Sequence, residues 1–232
     1  CRMGDGECKL MRGQGYVREP PNAALAKELR AILATPDPRC LVGIPTMDKS
    51  GPKYPNWKQR QQDFLPYLAP GMQYVSAFIT RPDSAPWIAT AAYAEGLEAV
   101  WRDKKVALIC EPENKLVTVV KSAARKVWHI ACPSHGAYAL IDDYERQLVR
   151  GRPDIVLLAH GVSATCLAYR MACRDMQALD MGSIGGFLAR MLFLDRVPHI
   201  FPAVLHHPSC PDAATLRALL EMTGFQVLYC GE

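Results

Sequence analysis

Arg2-Met3-Gly4-Asp5-Gly6-Glu7 sets two carboxylates one residue apart, each preceded by a glycine. In a turn, both side chains can converge on one hard cation while the glycines keep the backbone thin enough for a ligand to approach. That is a geometry for a metal and a diphosphate; the same letters also describe a solvated Asp-Gly surface turn. Four further polar corners carry groups able to do chemistry: Arg81 to Asp83, Glu111 to Lys115, His160 to Thr165, and Asp180 to Gly186. Arg81 and Lys115 offer cations to a phosphate or to a surface ion pair. Ser163 and Thr165 stand where a helix start either binds an anion or is capped by its own side chains. Asp180 suits a general base, a group that steadies a metal, or a helix cap; Glu111 suits a base or an ordinary structural carboxylate. His160 faces the mouth of the same crevice, where a lone histidine more commonly packs.

The elements that must position these corners alternate in type. Continuous apolar runs at Lys105 to Cys110, Val127 to Cys132 and Asp154 to Ala159 read as buried strands of a parallel sheet. Shorter strands are expected at Cys40 to Ile44, Gln73 to Thr80 and Met176 to Leu179. Helical spacing covers Ala23 to Ala34, Trp87 to Trp101, Leu116 to Ala124, Gly136 to Arg150 and Cys166 to Arg174, with a short helix from Glu7 to Arg12. A last helix near Ala213 to Thr223 and a strand from Gln226 to Cys230 are expected in the tail. This is an α/β pattern with a mostly parallel sheet, and ligands of such sheets bind outside the carboxyl ends of the strands. The five polar stretches would therefore ring one crevice.

Composition narrows the function classes. A chain of 232 residues, half of them hydrophobic, can bury a substantial core and is not a disordered segment. A net charge of +4 falls short of the concentrated positive stripe that would make nucleic acid the default partner, yet leaves anionic small molecules welcome. Nine cysteines without Cys-x-x-Cys pairing read as buried thiols of a cytoplasmic protein. No stretch reaches the roughly 18 apolar residues of a membrane span. Cys1 stands where a methionine would open a complete chain, so the numbering is expected to begin inside the natural protein.

His206, His207 and Cys210 have a zinc-like look without a fourth ligand or paired spacing. Cys132-Pro133-Ser134-His135 permits a cysteine nucleophile or a buried thiol at a strand end, and Tyr54, Trp57 and Trp87 could stack on a base or sugar or anchor loops. The basic, aromatic stretch from Lys49 to Arg60 is a place for acceptor contacts.

Taken in order, Arg2-Met3-Gly4-Asp5-Gly6-Glu7, Gly43-Ile44-Pro45, Thr80-Arg81-Pro82, Cys110-Glu111, Ile130-Ala131-Cys132-Pro133-Ser134, the run from Ala159 to Tyr169, and Ala178-Leu179-Asp180-Met181-Gly182 resemble the glycosyltransferases of the GT-D fold. The resemblance is strongest over residues 1–190, with 191–232 as a C-terminal extension of a single domain. It implies a Rossmann-like three-layer fold, a nucleotide diphosphate-sugar donor, commonly a UDP-sugar, and Mn²⁺ or Mg²⁺ on Asp5 and Glu7. Under it, Arg2, Gly4, Gly6, Arg81, Lys115, His160, Gly161, Ser163, Gly182 and Ser183 form the donor-binding set, with Asp180 or Glu111 activating an acceptor hydroxyl on a glycan, glycoprotein or modified DNA base. Two stretches depart from the family pattern. Ser183-Ile184-Gly185-Gly186-Phe187 replaces a histidine and an acidic, tyrosine-containing stretch, and Asn114-Lys115 stands where a serine-arginine pair is expected. Rival readings are a nucleotide-binding protein without transfer activity, a metal-dependent nucleotide-sugar hydrolase and a nucleic-acid binder.

Overall fold

The structure, a computed structural model, describes residues 1–35, 37–45, 62–82 and 91–193. Its described strands are β1 (Gly43–Ile44), β2 (Val75–Ser76), β3 (Lys105–Cys110), β4 (Lys126–Ala131), β5 (Ile155–Ala159) and β6 (Ala178–Asp180). Its described α-helices are α1 (Asp5–Met11), α2 (Ala23–Ala34), α3 (Ala91–Trp101), α4 (Leu116–Ala123), α5 (Ile141–Gly151), α6 (Ser163–Ala172) and α7 (Gly185–Phe193).

Strands β3 to β6 form one parallel sheet in the order β4-β3-β5-β6. The unbroken apolar runs of β3 and β5 follow from burial on both faces. Ala107, Ile109, Val156 and Leu158 point into a core shared with α1, α2, α5 and α6. Their neighbours Val106, Leu108, Cys110, Ile155 and Leu157 point into a second core with α3, α4 and α7. The result is a three-layer α/β arrangement. The connection leaving β3 runs through α4 on one face, while those leaving β4 and β5 run through α5 and α6 on the other. A crevice therefore opens between the carboxyl ends of β3 and β5, where the connections diverge.

Beside this sheet, β1 and β2 pair in parallel, and Arg2 adds a parallel bridge to Gly43. The Met3 N–H donates to the Gly43 carbonyl at 2.7 Å and the Gly43 N–H donates to the Cys1 carbonyl at 2.8 Å. These bonds lay the opening segment alongside the fold and deliver Arg2 to the crevice.

Three elements differ from expectation. Asp5 to Glu7 is the first turn of α1 rather than a free turn, because the Glu7 carboxylate accepts the Gly4 N–H at 2.8 Å and caps the helix. Only Val75–Ser76 of the strand expected over Gln73 to Thr80 is extended; the Ser76 hydroxyl accepts the Phe78 N–H and turns Ala77–Thr80 into a 3₁₀ helix. Gly185 and Gly186 open α7 where a loop was expected, since helix formation there buries Leu188 and Ala189 against α4. The expectations for Tyr54, Trp57, Asp83, Trp87, His206, His207, Cys210 and the tail elements lie outside the described residues. Among the described residues no helix is long and apolar enough to cross a membrane.

Candidate active site

Four side chains from four segments meet beside the end of β6. Glu7, on α1, and Asp180, closing β6, are 6% and 7% exposed, and Thr165, in the first turn of α6, is fully buried. The Thr165 hydroxyl lies 2.7 Å from the Arg2 carbonyl, 3.1 Å from Asp180 Oδ2 and 3.3 Å from Glu7 Oε1. Asp180 Oδ1 accepts the Gly182 N–H at 2.9 Å and faces Arg2 Nη2 at 3.8 Å. Burial pushes the Glu7 carboxyl up to about 7; the Arg2 guanidinium pulls it down and the Asp180 charge pushes it up.

Arg2 is held in an unusual way. Its guanidinium lies over Gly182, a residue with φ of +52°, and its Cζ stands 2.8 Å from where a Cβ at that position would be. Only glycine allows this approach. The Arg2 Nε is buried with no hydrogen-bond partner among the described residues. The side chain as a whole is 16% exposed, so its outer edge is chemically suited to an anion.

A second group borders the crevice from the α1 side. Asp5 is partly exposed and its Oδ2 accepts from the Tyr16 hydroxyl at 3.4 Å. Tyr16 and Glu19 exchange backbone hydrogen bonds of 2.8 and 2.9 Å, and this tight pairing sets Arg18 against Glu111 in an ion pair. Gly6 lets the pieces close, since a Cβ there would stand 2.8 Å from Val162 and 2.9 Å from the Tyr16 ring. Arg81 ends the 3₁₀ helix, half-buried, and its charge acts on the Tyr16 hydroxyl. Glu111 follows β3 and Asp180 ends β6, with β5 between them, so their backbones sit two strand spacings apart across the sheet, about 10 Å.

Between them lies the corner from His160 to Thr165. Gly161 has φ of +78° with open space where a Cβ would be, so conformation rather than room selects glycine there. The Ser163 hydroxyl is fully buried and donates to the His160 carbonyl at 3.2 Å, so it steadies the corner rather than facing outward. His160 is 5% exposed, and burial pushes its imidazole down to about 3. A neutral ring cannot offer a phosphate a positive charge. It packs edge-on against Tyr144 at 5.7 Å, and neither its ring nitrogens nor the Tyr144 hydroxyl has a partner among the described residues. Ser183 and Lys115 are exposed at the rim. The Cys132 thiol is buried and pushed up to about 11 by burial, so it stays protonated and inert as a nucleophile.

The two departures from the family pattern touch each other. Asn114 Oδ1, just ahead of α4, accepts the Leu116 N–H at 2.9 Å. A Cβ on Gly185 would stand 2.7 Å from that oxygen and 2.8 Å from the Leu116 nitrogen. The glycine that opens α7 and the asparagine just ahead of α4 are thus one packing unit.

The donors near α1 suit a hard divalent ion. Among the described residues no three His, Cys, Asp or Glu side chains are already gathered into a metal cluster. Mg²⁺ and Mn²⁺ sites completed by a substrate use one or two carboxylates, with phosphate oxygens and water filling the remainder. Asp5 is partly exposed and accepts from the Tyr16 hydroxyl. Glu7 is 6% exposed, accepts from the Gly4 N–H and lies beside the Thr165 hydroxyl, so Asp5 is the readier ligand of the two. Tyr16 and Arg18 belong to no periodic pattern, so nothing in the sequence marks them, and Thr165, expected to bind an anion or cap its helix, faces inward to Arg2 and Asp180. A cavity of about 450 Å³ between α2, α5 and α6 includes Arg170 and Arg174 and lies at the other end of α6, away from these residues.

The carboxyl edge of a parallel α/β sheet thus gathers a guanidinium, two buried carboxylates and a helix start, the usual place for a ligand in such sheets. Comparison with known proteins makes this specific. Residues 1–186 match the family described as glycosyltransferase GT-D fold, and the chain belongs to that family. It is 24% identical over 200 residues to glycosyltransferase GlyD of Streptococcus pneumoniae serotype 4, covering 79% of this chain but only 24% of that protein. Among solved structures, it resembles a glycosyltransferase (DUF1792) from Streptococcus sanguinis with a TM-score of 0.68 and 25% identity, over 83% of this chain and 77% of the other. It also resembles a structure described as the highly conserved domain of unknown function 1792 with a distinct glycosyltransferase fold. There the TM-score is 0.70 and the identity 26%, over 98% of this chain and 84% of the other.

Proposed function

We propose that this chain moves a sugar from a nucleoside diphosphate-sugar, with UDP-sugars the first candidates, to an acceptor hydroxyl, with Mn²⁺ or Mg²⁺ held by Asp5 and Glu7. The observation that carries this reading is the Arg2 guanidinium, fixed over Gly182 with its Nε unpaired beside two buried carboxylates. A bound divalent ion would neutralise charge on the departing diphosphate. Arg2 contributes a fixed positive charge to the same group, and Asp180 orients that guanidinium. The Asp180 side chain is 2% exposed, too enclosed to meet an acceptor, whereas Glu111 is 26% exposed and open at the far side of the crevice. Glu111 is therefore the carboxylate to take the acceptor proton, with Arg18 holding it in place. The acceptor is a hydroxyl of a glycan, a glycoprotein or a modified base, approached from the Glu111 side.

The test is release of nucleoside diphosphate from a panel of nucleotide-sugars, with hydroxyl acceptors present, in Mn²⁺, Mg²⁺ and EDTA. The reading expects release with one nucleotide class, dependent on the metal and lost in Asp5→Asn. Nucleotide binding without release from any donor would make the chain a binding module instead. Release that persists in EDTA and in Asp5→Asn would remove the metal from the scheme.

A further inference from the structure

We infer that Thr165 is a positioning residue whose buried hydroxyl, with one proton to share among the Arg2 carbonyl and the Asp180 and Glu7 carboxylates, keeps these three acceptors gathered around a single point. The inference rests on the proposed donor site for its purpose, though not for its test. Thr165 Oγ1 reaches three oxygen atoms, those of Arg2, Asp180 and Glu7, at 2.7, 3.1 and 3.3 Å. Those partners lie 163, 15 and 158 residues away along the chain, on three different segments. Thr165 itself is fully buried, so no ligand can compete for the hydroxyl from outside.

Each carboxylate that Thr165 contacts also fixes a glycine of the opening or closing motif. Glu7 Oε2 holds the Gly4 N–H at 2.8 Å, and Asp180 Oδ1 holds the Gly182 N–H at 2.9 Å. Gly182 in turn supports the Arg2 guanidinium. The hydroxyl therefore stands at the junction of two capping bonds and the Arg2 guanidinium, and α6 carries it there as a rigid support. Groups that orient ligating or reacting residues in this way are typically worth about 10-fold to 100-fold in affinity or activity.

Thr165→Val keeps the branched shape and removes only the hydroxyl, Thr165→Ser keeps the hydroxyl and removes a methyl, and Thr165→Ala is a second variant without the hydroxyl should valine prevent folding. Amide exchange at Gly4 and Gly182 is read by NMR in the full chain, with β3 amides as an internal reference. Without the hydroxyl, both glycine amides should exchange about tenfold faster while β3 is unchanged, and serine should restore the wild-type rates. Nucleoside diphosphate release should show kcat lowered about 10-fold to 100-fold in the valine variant and rescued by serine. Unchanged exchange at Gly4 and Gly182 in both hydroxyl-free variants, or a serine variant that behaves like them, overturns the inference. If wild-type protein releases no nucleotide, the donor reading fails, while the exchange rates still decide the role of Thr165.

Discussion

Glu7 makes the metal-free protein lose stability as pH rises. Its carboxyl moves from the usual 4.5 to about 7 because folding buries it. Below 4.5 the folded and unfolded chains both hold the proton, and Glu7 adds no pH dependence. Between 4.5 and 7 the unfolded chain releases it while the folded chain keeps it, so stability falls with rising pH and levels off above 7. At about 1.4 kcal/mol per pH unit the loss amounts to about 3 kcal/mol. Glu7→Gln keeps the side-chain shape and an oxygen for the Gly4 N–H but cannot ionise. Urea unfolding of both proteins in EDTA, from about pH 4 to pH 8, isolates the effect. The glutamine variant should gain on wild type by about 3 kcal/mol across that range. A constant difference between the two proteins, or one that moves in favour of wild type as pH rises, would refute the burial argument.

Other consequences follow from single contacts. Gly182→Ala would push a Cβ into the Arg2 guanidinium and force alanine into the left-handed region, so nucleotide affinity measured by calorimetry should fall about tenfold or more, with about 1 kcal/mol lost in urea unfolding. Gly185→Ala would set a Cβ 2.7 Å from Asn114 Oδ1 and 2.8 Å from the Leu116 nitrogen. It should destabilise the fold by about 1–3 kcal/mol, and the loss should shrink when Asn114 is replaced by alanine in the same chain, which double-mutant unfolding measures. Tyr144→Phe removes a buried hydroxyl without a partner among the described residues and should leave stability unchanged or raise it by up to about 1 kcal/mol by the same assay.

The sheet was legible because β3 and β5 are apolar at every position from Val106 to Cys110 and from Ile155 to Ala159, a pattern that burial on two faces requires. The short strands were not. β1 and β2 are two residues each, and a single Ser76 hydroxyl decides where extension stops and the 3₁₀ helix begins. Position along the chain placed Glu111, His160 and Asp180 at the ends of β3, β5 and β6, whereas Arg81 follows a 3₁₀ helix rather than a strand. What sequence could not supply was direction. Asn22 was legible as the cap of α2, but spacing alone cannot say that Glu7 turns back to cap its own helix, that Thr165 faces inward, or that Val162 leaves α6 without a side-chain cap. Asp180 and Glu111 look alike as candidate bases in the sequence, and only their unequal exposure separates them. The contact of Gly185 with Asn114 joins residues that are 71 positions apart by number, and no local rule predicts it.

Calorimetric titration of UDP and other nucleoside diphosphates, with and without Mn²⁺, into wild-type protein and Asp5→Asn tests the site most directly. Asp5 is partly exposed and contacts Tyr16 at its hydroxyl, so the asparagine variant leaves the α1 cap of Gly4 and Glu7 in place. The account predicts nucleoside diphosphate binding that tightens at least about tenfold with Mn²⁺ in wild type and loses that gain in Asp5→Asn. Equal affinity with and without the ion, or no binding of any nucleotide, would contradict it.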